Sequence, residues 1–588
     1  MSDAYKQKLS ASAAKNLEAW LNLNKDPKTL QELQALIVKE DWQELEDAFY
    51  CELAIGTGGI RGKIGPGTNR INFYTIGRAA QGLADFIASF GAAAKKNGVV
   101  VGYDVRRLSK DLAEMCCDIF LANGIATTSF PDICSTPEVS FMVRYLRKTA
   151  GVMITASHNP RTDNGFKFYW SDGGQVVAPN DALFMDFLKN VVEIKRQPAG
   201  HEKSVDFVTE DTHNFYIEQV SSLSLVETRS AKIVFSPIHG SGITNVLPVL
   251  QKNGFDVTVV PEQAEPNGEF PTAHGELINP EFQEVSQMAL DLAAKLGADL
   301  AIISDPDADR AGIGAKESLG SKNIRFFNGN EIGVALTHFI LTQKKQSQIL
   351  NSDCVVMEAN VTTSLVSDIA KSFSLKVYDD LLVGFKFIAE IIEKEQLGEK
   401  FIFAAEESLG YLRGTFVRDK DAAITALTVA EMVSYLKDQG LSLTDYLNQI
   451  YREYGYYRNR LHYMVLPGKD GSALIRKLML SLRQNSPASL AGLKILKTVD
   501  RLDENKRVES NYITGMTGDQ LAFIFTEDGR NKITIRPSGT EPKVKIYTQV
   551  YGDAKSASQA DQLAEKIEQG LLDFCETLID FKAIQSSL

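Results

Sequence analysis

Ala-Asp-Leu-Ala-Ile-Ile-Ser-Asp (298–305), followed at once by Pro-Asp-Ala-Asp-Arg (306–310), decides how this chain is read. An apolar run short enough for one strand stops abruptly in carboxylates. Open α/β sheets present their working groups in this way, at the carboxyl ends of strands. The theme recurs in both directions from it. VVVGYD (99–104) is an apolar run closed by a polar turn, and before it Ile76, Ala80, Leu83, Ile87 and Phe90 recur at helical spacing. KIVFSP (232–237) leads through the turn HGSG into a helical pattern of Ile243, Val246, Leu247 and Leu250. CVVMEAN (354–360) and KFIFAAEES (400–408) repeat the apolar run with a polar or acidic end. Repeated strand–turn–helix texture predicts an α/β architecture.

The C-terminal stretch reads differently. LAFIFTEDGRNKITIRPSGTEPKVKIYTQV (521–550) alternates as strands, with Asp528-Gly529 as a hairpin turn, and ASQADQLAEKIEQGLLDFCETLI (557–579) is helical. This predicts a separate, smaller, mainly antiparallel α+β domain. At 588 residues the chain exceeds what one hydrophobic core supports. The expected division is 1–205, 206–320, 321–455 and 456–588. Residues before about 45 and the segment 455–500 carry no motif that can be assigned.

Composition closes off other classes. Hydrophobic content of 44% and charged content of 23% are ordinary for a globular protein. The formal net charge is −12, and no Lys/Arg block appears. A nucleic-acid or anionic-membrane partner would need a basic footprint, so neither is expected. No window reaches the about eighteen apolar residues that a membrane helix requires. The six cysteines show neither CxxC nor disulfide-framework spacing, and the N-terminus lacks a signal-peptide apolar region. Reduced thiols and a cytoplasmic location are the expectation.

Five stretches carry chemistry. Thr155-Ala156-Ser157-His158-Asn159-Pro160 follows the apolar run GVMI, and Asn164-Gly165-Phe166-Lys167 then brings a cation within reach of any phosphate on Ser157. Neighbouring Ser and His rarely pair, so a hydrolase triad is not implied. In Asp305-Pro306-Asp307-Ala308-Asp309-Arg310, three carboxylates at alternate positions repel one another unless a cation lies between them. Hard oxygen ligands of this kind suit Mg²⁺. An EF-hand is rejected, because Arg310 stands where glycine is required and Lys316 where glutamate is required.

Arg536-Pro537-Ser538-Gly539-Thr540-Glu541-Pro542 combines a guanidinium, hydroxyls and glycine-relaxed backbone, a cradle for a phosphate dianion. Glu406-Glu407-Ser408 offers adjacent acceptors and donors for sugar hydroxyls. Gly56-Thr57-Gly58-Gly59-Ile60-Arg61-Gly62 is glycine-rich but fits no nucleotide-binding spacing, and no clear strand precedes it. It reads as a loop presenting Arg61 to an anion.

Taken together and in this order, the stretches resemble the α-D-phosphohexomutase superfamily over residues 45–560. TASHNP with NGFK resembles its phosphoserine loop, DPDADR its metal loop, EES its sugar loop and RPSGTEP its phosphate loop. GTGGIRG, SPIHGSG and LVGFKFIA (382–389) resemble the bacterial α-phosphoglucomutase and phosphopentomutase-like branch. Where many members have glycine before the first Glu of the sugar loop, this chain has Ala405.

The resemblance implies four domains around a central cleft, three of them related mixed α/β sheet domains. It implies an intramolecular phosphotransferase that interconverts glucose 1-phosphate and glucose 6-phosphate through glucose 1,6-bisphosphate, with pentose or mannose phosphates as alternative substrates. Ser157 would carry the phosphoryl group, and one Mg²⁺ per subunit would bind Asp305, Asp307, Asp309 and a Ser157 oxygen. Lys167, Arg61 and His158 would assist transfer, His158 chiefly by orienting the loop. Arg310, Lys386, Glu406, Ser408, Arg536, Ser538, Gly539 and Thr540 would bind the sugar phosphate. A monomer or weak homodimer is implied. The rival enzyme class, a phosphohydrolase using Asp305 or Asp307 as nucleophile, would leave Ser157 and the Arg536 loop without a role. A sugar-phosphate-binding scaffold on a retired fold would be expected to have lost the nucleophile or a metal ligand, and here all are present.

Overall fold

The computed structural model of the chain describes residues 5–23, 27–53, 55–56, 59–197, 205–466, 468–502, 516–538, 543–552 and 557–578. The chain divides into two compact units: Met1–Ile332 with Gly384–Ala404 and Ser408–Leu443, and Gly333–Val383 with Ala405–Glu407 and Thr444–Leu588.

In the first unit, β1 (Ile55–Gly56), β2 (Gly59–Lys63), β3 (Val99–Tyr103), β4 (Thr127–Ser129), β5 (Ala150–Ile154), β6 (Asp163–Trp170) and β7 (Asp206–Phe207) form a seven-stranded sheet. Its order is β1-β2-β6-β5-β3-β4-β7. β3 is parallel to β4 and β5, whereas β6 runs antiparallel to β5 and β2. β3 and β5 are buried along their whole length, which is why VVVGY and AGVMI read as unbroken apolar runs. The helix Phe73–Ser89 joins the same core through Ile76, Ala80, Leu83 and Ile87, all fully buried. Phe90, the last residue of that periodic pattern, falls just past the helix end and is 51% exposed.

The N-terminal residues without a motif form helices Tyr5–Lys8, Ala11–Leu23, Pro27–Val38 and Trp42–Phe49. Leu17, Trp20, Leu45 and Phe49 make a small core of their own. Trp20 also meets Tyr74 edge-on at 5.0 Å, which attaches the helices to the first sheet domain.

A second sheet of the first unit holds β8 (Lys232–Ser236), β9 (Asp256–Val259), β10 (Leu300–Ser304), β11 (Ala311–Lys316) and β12 (Ile324–Phe327), in the order β12-β11-β10-β8-β9. β10 is parallel to β8 and antiparallel to β11, with Ser304 opposite Ala311. The acidic run 305–310 is therefore a hairpin loop at the carboxyl end of a fully buried strand. A third, four-stranded sheet contains β13 (Val355–Ala359), β14 (Lys376–Leu381), β15 (Phe401–Glu406) and β16 (Gly410–Leu412). β13 and β14 are parallel.

The C-terminal sheet has five strands, all antiparallel: Tyr456–Val465 pairs with Lys543–Gly552, followed by Lys532–Pro537, Leu521–Ile524 and Lys497–Asp500. Helices Gly468–Gln484 and Ala557–Leu578 share its core through Leu478, Leu482, Ile567 and Leu571 against Phe523, Ile533 and Ile546. The turn at Asp528-Gly529 is present, with Gly529 at φ +72° and its N–H donating to the Thr526 carbonyl. Segment 455–500 thus supplies two of this sheet's strands and one of its helices. Among the described residues no helix is long and apolar enough to cross a membrane.

Candidate active site

β5 hands the chain directly to the Ser157 loop. Ser157 is 1% exposed and adopts φ +52°, a left-handed backbone that non-glycine residues rarely take. Its N–H donates to Thr155 Oγ1 at 2.8 Å, and Thr155 Oγ1 donates to Asp104 Oδ2 at 2.6 Å. Arg106, fully enclosed, donates to the carbonyls of Ser157, Asn159, Pro160 and Asp163, and its Nε lies 3.4 Å from Asp104. One guanidinium thus gathers four carbonyls of the loop and fixes its path. Gly165 in β6 faces this loop, where an added Cβ would lie 2.6 Å from the Thr155 carbonyl and 2.4 Å from that of Ile60. Only glycine fits there.

The Ser157 hydroxyl donates to Asp305 Oδ2 at 2.8 Å and lies 3.1 Å from His158 Nδ1. Sequence reasoning held that adjacent Ser and His seldom pair. The left-handed turn at Ser157 is the reason that here they do, since it brings consecutive side chains to one side of the loop.

Asp305, Asp307 and Asp309 are fully buried, and one oxygen of each lies within 4.8 Å of the others. Asp305 Oδ1 accepts from the backbone N–H groups of Asp309 and Arg310, both at 3.0 Å, which curls the loop. The turn at 237–241 buttresses it, with the Ser241 N–H donating to the Pro306 carbonyl at 2.7 Å. A Cβ on Gly240 would come within 2.5 Å of the Pro306 Cα, so the close approach needs glycine.

Two lysines enter this acidic pocket. Lys167, fully buried on β6, donates to Asp307 Oδ2 at 2.6 Å and Asp309 Oδ2 at 3.0 Å. Lys420 donates to Asp309 Oδ2 at 2.8 Å, and Thr136 Oγ1 to Asp307 Oδ2 at 2.7 Å. Burial alone would push Asp307 up, but the Lys167 ammonium and the donors around it hold its carboxyl well below the usual range. Asp305 moves the other way. Burial raises it far above its ordinary value, and the charges of Asp309 and Asp307 add to this. Asp419, which accepts from Tyr169 at 3.0 Å and Gln175 at 2.7 Å, is held low against burial by Lys420 and Lys167.

Asp307 Oδ1 and Asp309 Oδ1 are buried yet accept no hydrogen bond among the described residues. Leaving such an acceptor unsatisfied costs about 1–3 kcal/mol. Two orphaned carboxylate oxygens beside a third carboxylate form a donor set suited to a hard divalent cation.

The other expected site residues fall into several places. Arg61, on β2, donates to Asn159 Oδ1 at 3.3 Å, so it does meet the Ser157 loop. The strand before it, β1, has only two residues, too short to have been visible as a pattern. Arg310 Nη1 donates to the Ser408 carbonyl at 3.1 Å, linking the metal loop to the end of the EES motif. Lys386 opens the helix Phe385–Lys394, its ammonium 5.2 Å from the Phe387 ring, and burial lowers its proton affinity.

Glu406, Glu407 and Arg536 belong to the second unit. Arg536 lies beside Tyr547, its Nη2 3.4 Å from the phenol oxygen. Burial works against its charge, yet Tyr547, Glu407 and Glu406 together raise its proton affinity. The Ser538 N–H donates to the Lys543 carbonyl at 2.8 Å. Gly539 and Thr540 lie outside the described residues.

Sequence reading passed over Arg106, Thr136, Asp419 and Lys420. The signal for the last two was present: Arg418-Asp419-Lys420-Asp421 is a charge cluster abutting the almost wholly buried helix Ala422–Asp438. Arg106 and Thr136 carry no local signal, because their partners lie far along the chain.

Fold and site together define an α/β enzyme whose buried serine faces a loop of three aspartates that could hold a metal ion. Phosphoglucomutase/phosphomannomutase domain models match successive stretches of the sequence: alpha/beta/alpha domain I over residues 52–191, domain II over 214–319, domain III over 328–454 and the C-terminal domain over 493–566. The chain belongs to the phosphoglucomutase/phosphomannomutase family. It is 34% identical over 537 residues to a phosphoglucomutase of Staphylococcus aureus (strain N315), covering 89% of this chain and 93% of the relative. A phosphoglucomutase of Staphylococcus haemolyticus (strain JCSC1435) is 34% identical over 516 residues, covering 85% and 91%. Among solved structures, the Paramecium phosphoglucomutase pp63/parafusin superposes with a TM-score of 0.65 at 15% identity, over 91% of this chain and 96% of that one. A phosphoglucomutase/phosphomannomutase family protein from Burkholderia thailandensis superposes with a TM-score of 0.64 at 15% identity, over 89% and 97%.

Proposed function

We propose that the protein interconverts α-D-glucose 1-phosphate and glucose 6-phosphate, with Ser157 as the phosphoryl carrier and glucose 1,6-bisphosphate as the intermediate. The observation that carries this reading is the buried Ser157 hydroxyl donating to Asp305 within the acidic triad. The Staphylococcus relatives, named phosphoglucomutases, support glucose as the sugar.

Phosphoryl transfer needs positioning and charge neutralisation above all. The left-handed loop, held by Arg106, fixes the Ser157 oxygen, and His158 orients its hydroxyl. Lys167 and Lys420, which donate to Asp307 and Asp309, face the phosphoryl oxygens, while Arg61 and Arg310 add donors around the loop. Asp305, Asp307 and Asp309, with a Ser157 oxygen, would hold Mg²⁺, which supplies further neutralisation of the transferring group. In each half-reaction the phosphoryl leaves one oxygen, of Ser157 or of the sugar, for the other. A neighbouring unprotonated group, Asp305 or His158 where Ser157 attacks, takes the proton of the attacking hydroxyl.

Arg536, Ser538, Gly539 and Thr540 grip the phosphate that is not reacting. Glu406, Ser408 and Lys386 hold the sugar in either orientation. Free thiols at Cys116, Cys117, Cys134, Cys354 and Cys575, all buried, fit a reducing cytoplasmic setting.

Intact-mass analysis of the native protein tests the carrier: a fraction one phosphate heavier should map to the peptide containing Ser157. A phosphate on an aspartate overturns the mechanism. Comparing kcat/KM for glucose 1-phosphate, mannose 1-phosphate and ribose 1-phosphate tests the sugar.

A further inference from the structure

β5 and β6 have a second end. Where β5 begins and β6 finishes, an open cleft of about 370 Å³ is lined by Phe90, Asn97, Arg144, Arg147, Lys148 and Trp170. Ser157 follows the opposite end of β5, a strand of five residues and so roughly 16 Å long. The cleft is therefore separate from the site described above.

Its chemistry runs against the rest of the molecule. The chain carries a net charge of −12, yet three cations converge here. Arg144 is committed to the wall, donating to the Asp172 carbonyl and lying 3.6 Å from Glu393. Arg147 is exposed and Lys148 half-buried, and neither forms an ion pair or a side-chain hydrogen bond among the described residues. Among the described residues Asp206 is the acidic group whose charge reaches Lys148, where burial lowers the ammonium's proton affinity. Two cations beside a cavity that make no ion pair or side-chain hydrogen bond among the described residues are a receptor for an anion with several oxygens.

The cleft also has an aromatic side. Trp170 is half-buried, its ring 4.9 Å from the buried Phe86 and 5.1 Å from the exposed Phe90. Packing on Phe86 fixes the indole before any ligand arrives, which lowers the entropy cost of stacking against it. Asn97 adds a carboxamide able both to donate and to accept.

We propose that this cleft is a second phosphate site, built for a nucleoside phosphate: the phosphates on Arg147 and Lys148, the base against Trp170 and Phe90. A sugar phosphate shares the anion but offers no π-face to the paired rings. Its size also fits, since small-molecule sites span about 300–1,000 Å³.

The test is calorimetric titration of ADP into the full-length protein, in saturating glucose 6-phosphate so that any phosphate cradle of the catalytic site is filled. ADP should bind once per chain, and Arg147→Glu or Lys148→Glu should weaken it about ten-fold or more. Trp170→Leu should weaken ADP about ten-fold while leaving inorganic phosphate binding unchanged. Arg147→Glu, an exposed substitution, should keep the sugar-phosphate kcat and KM of the unmodified protein. Absence of ADP binding, its displacement by glucose 6-phosphate, or indifference to both charge reversals overturns the site. Equal ADP affinity in Trp170→Leu, or tighter binding of glucose 6-phosphate than of ADP at this cleft, overturns the nucleoside assignment. Lack of mutase activity would defeat the proposed function and leave the ADP result standing, so the two failures are distinguishable.

Discussion

The Ser157–Asp305 region and the Arg536 region both hold charge, and they hold it in opposite styles. Around Ser157, the three aspartates and Lys167 are fully buried, and each loop is fastened by side chains from remote strands and helices. In the other region the residues Arg536 and Ser538 are only half-buried, Arg536 next to Tyr547 and two carboxylates. Buried, multiply bonded groups cannot adjust without breaking several contacts at once. Half-buried groups with fewer contacts can. The first arrangement suits chemistry that tolerates little displacement, and the second suits recognition of one group presented in more than one way.

The sharpest way to break this contrast is Ser157→Ala. If the buried region performs the chemistry, kcat should fall by several orders of magnitude with folding intact, because no other hydroxyl occupies that geometry. Circular dichroism and initial rates check both halves. Asp307→Asn comes next. It removes a charge from the triad and a partner from Lys167, so activity should fall about a hundred-fold and the requirement for added Mg²⁺ should rise. Full activity in EDTA would contradict the metal assignment.

Arg536→Ala should act on the other side of the contrast. It should chiefly raise KM, with a loss of roughly 1.5–3 kcal/mol, or about ten- to a hundred-fold in kcat/KM. Inhibition by free phosphate or sulfate should weaken in parallel; equal inhibition of both proteins would remove the loop from phosphate binding.

The smallest effect concerns how far the stiffness of the first region extends. Helix Thr136–Tyr145, whose Thr136 reaches Asp307, is latched to helix Glu210–Ser221 by His213 and Glu138 at 2.6 Å. The hydrogen bond to Glu138 raises the His213 proton affinity against burial. A histidine bound more tightly to its proton when folded contributes stability that is complete below its unfolded pKa, about 6.5, and lost as pH rises through the higher folded value. The Tm should therefore drop between pH 6 and 8 by a few degrees, and His213→Gln should flatten that drop.

What was legible in the sequence follows the same division. DPDADR, TASHNP and the strand runs around them are local patterns, and the structure has them as loops at strand ends. Arg106 and Thr136 were not legible, because each acts across a distance in sequence that only the fold closes. The Ser157–His158 contact was misjudged for a local reason, since a positive φ reverses the usual divergence of neighbouring side chains. The N-terminal helices were silent because they carry packing residues such as Trp20 and Phe49 and no chemistry. Gly539 and Thr540, read as parts of the phosphate loop, fall outside the described residues.

The pairing of Met153 with Lys167 across β5 and β6 has a consequence for mutational robustness. Side chains alternate along a strand, so Lys167 points into the acidic pocket only because the link from Ser157 to Asp163 has the length it has. Adding or deleting one residue in that link would turn the ammonium to the opposite face and bring Phe166 or Phe168 to the aspartates. Single substitutions at Pro160, Arg161 or Thr162 should be tolerated in a library where every insertion or deletion at the same positions is lost.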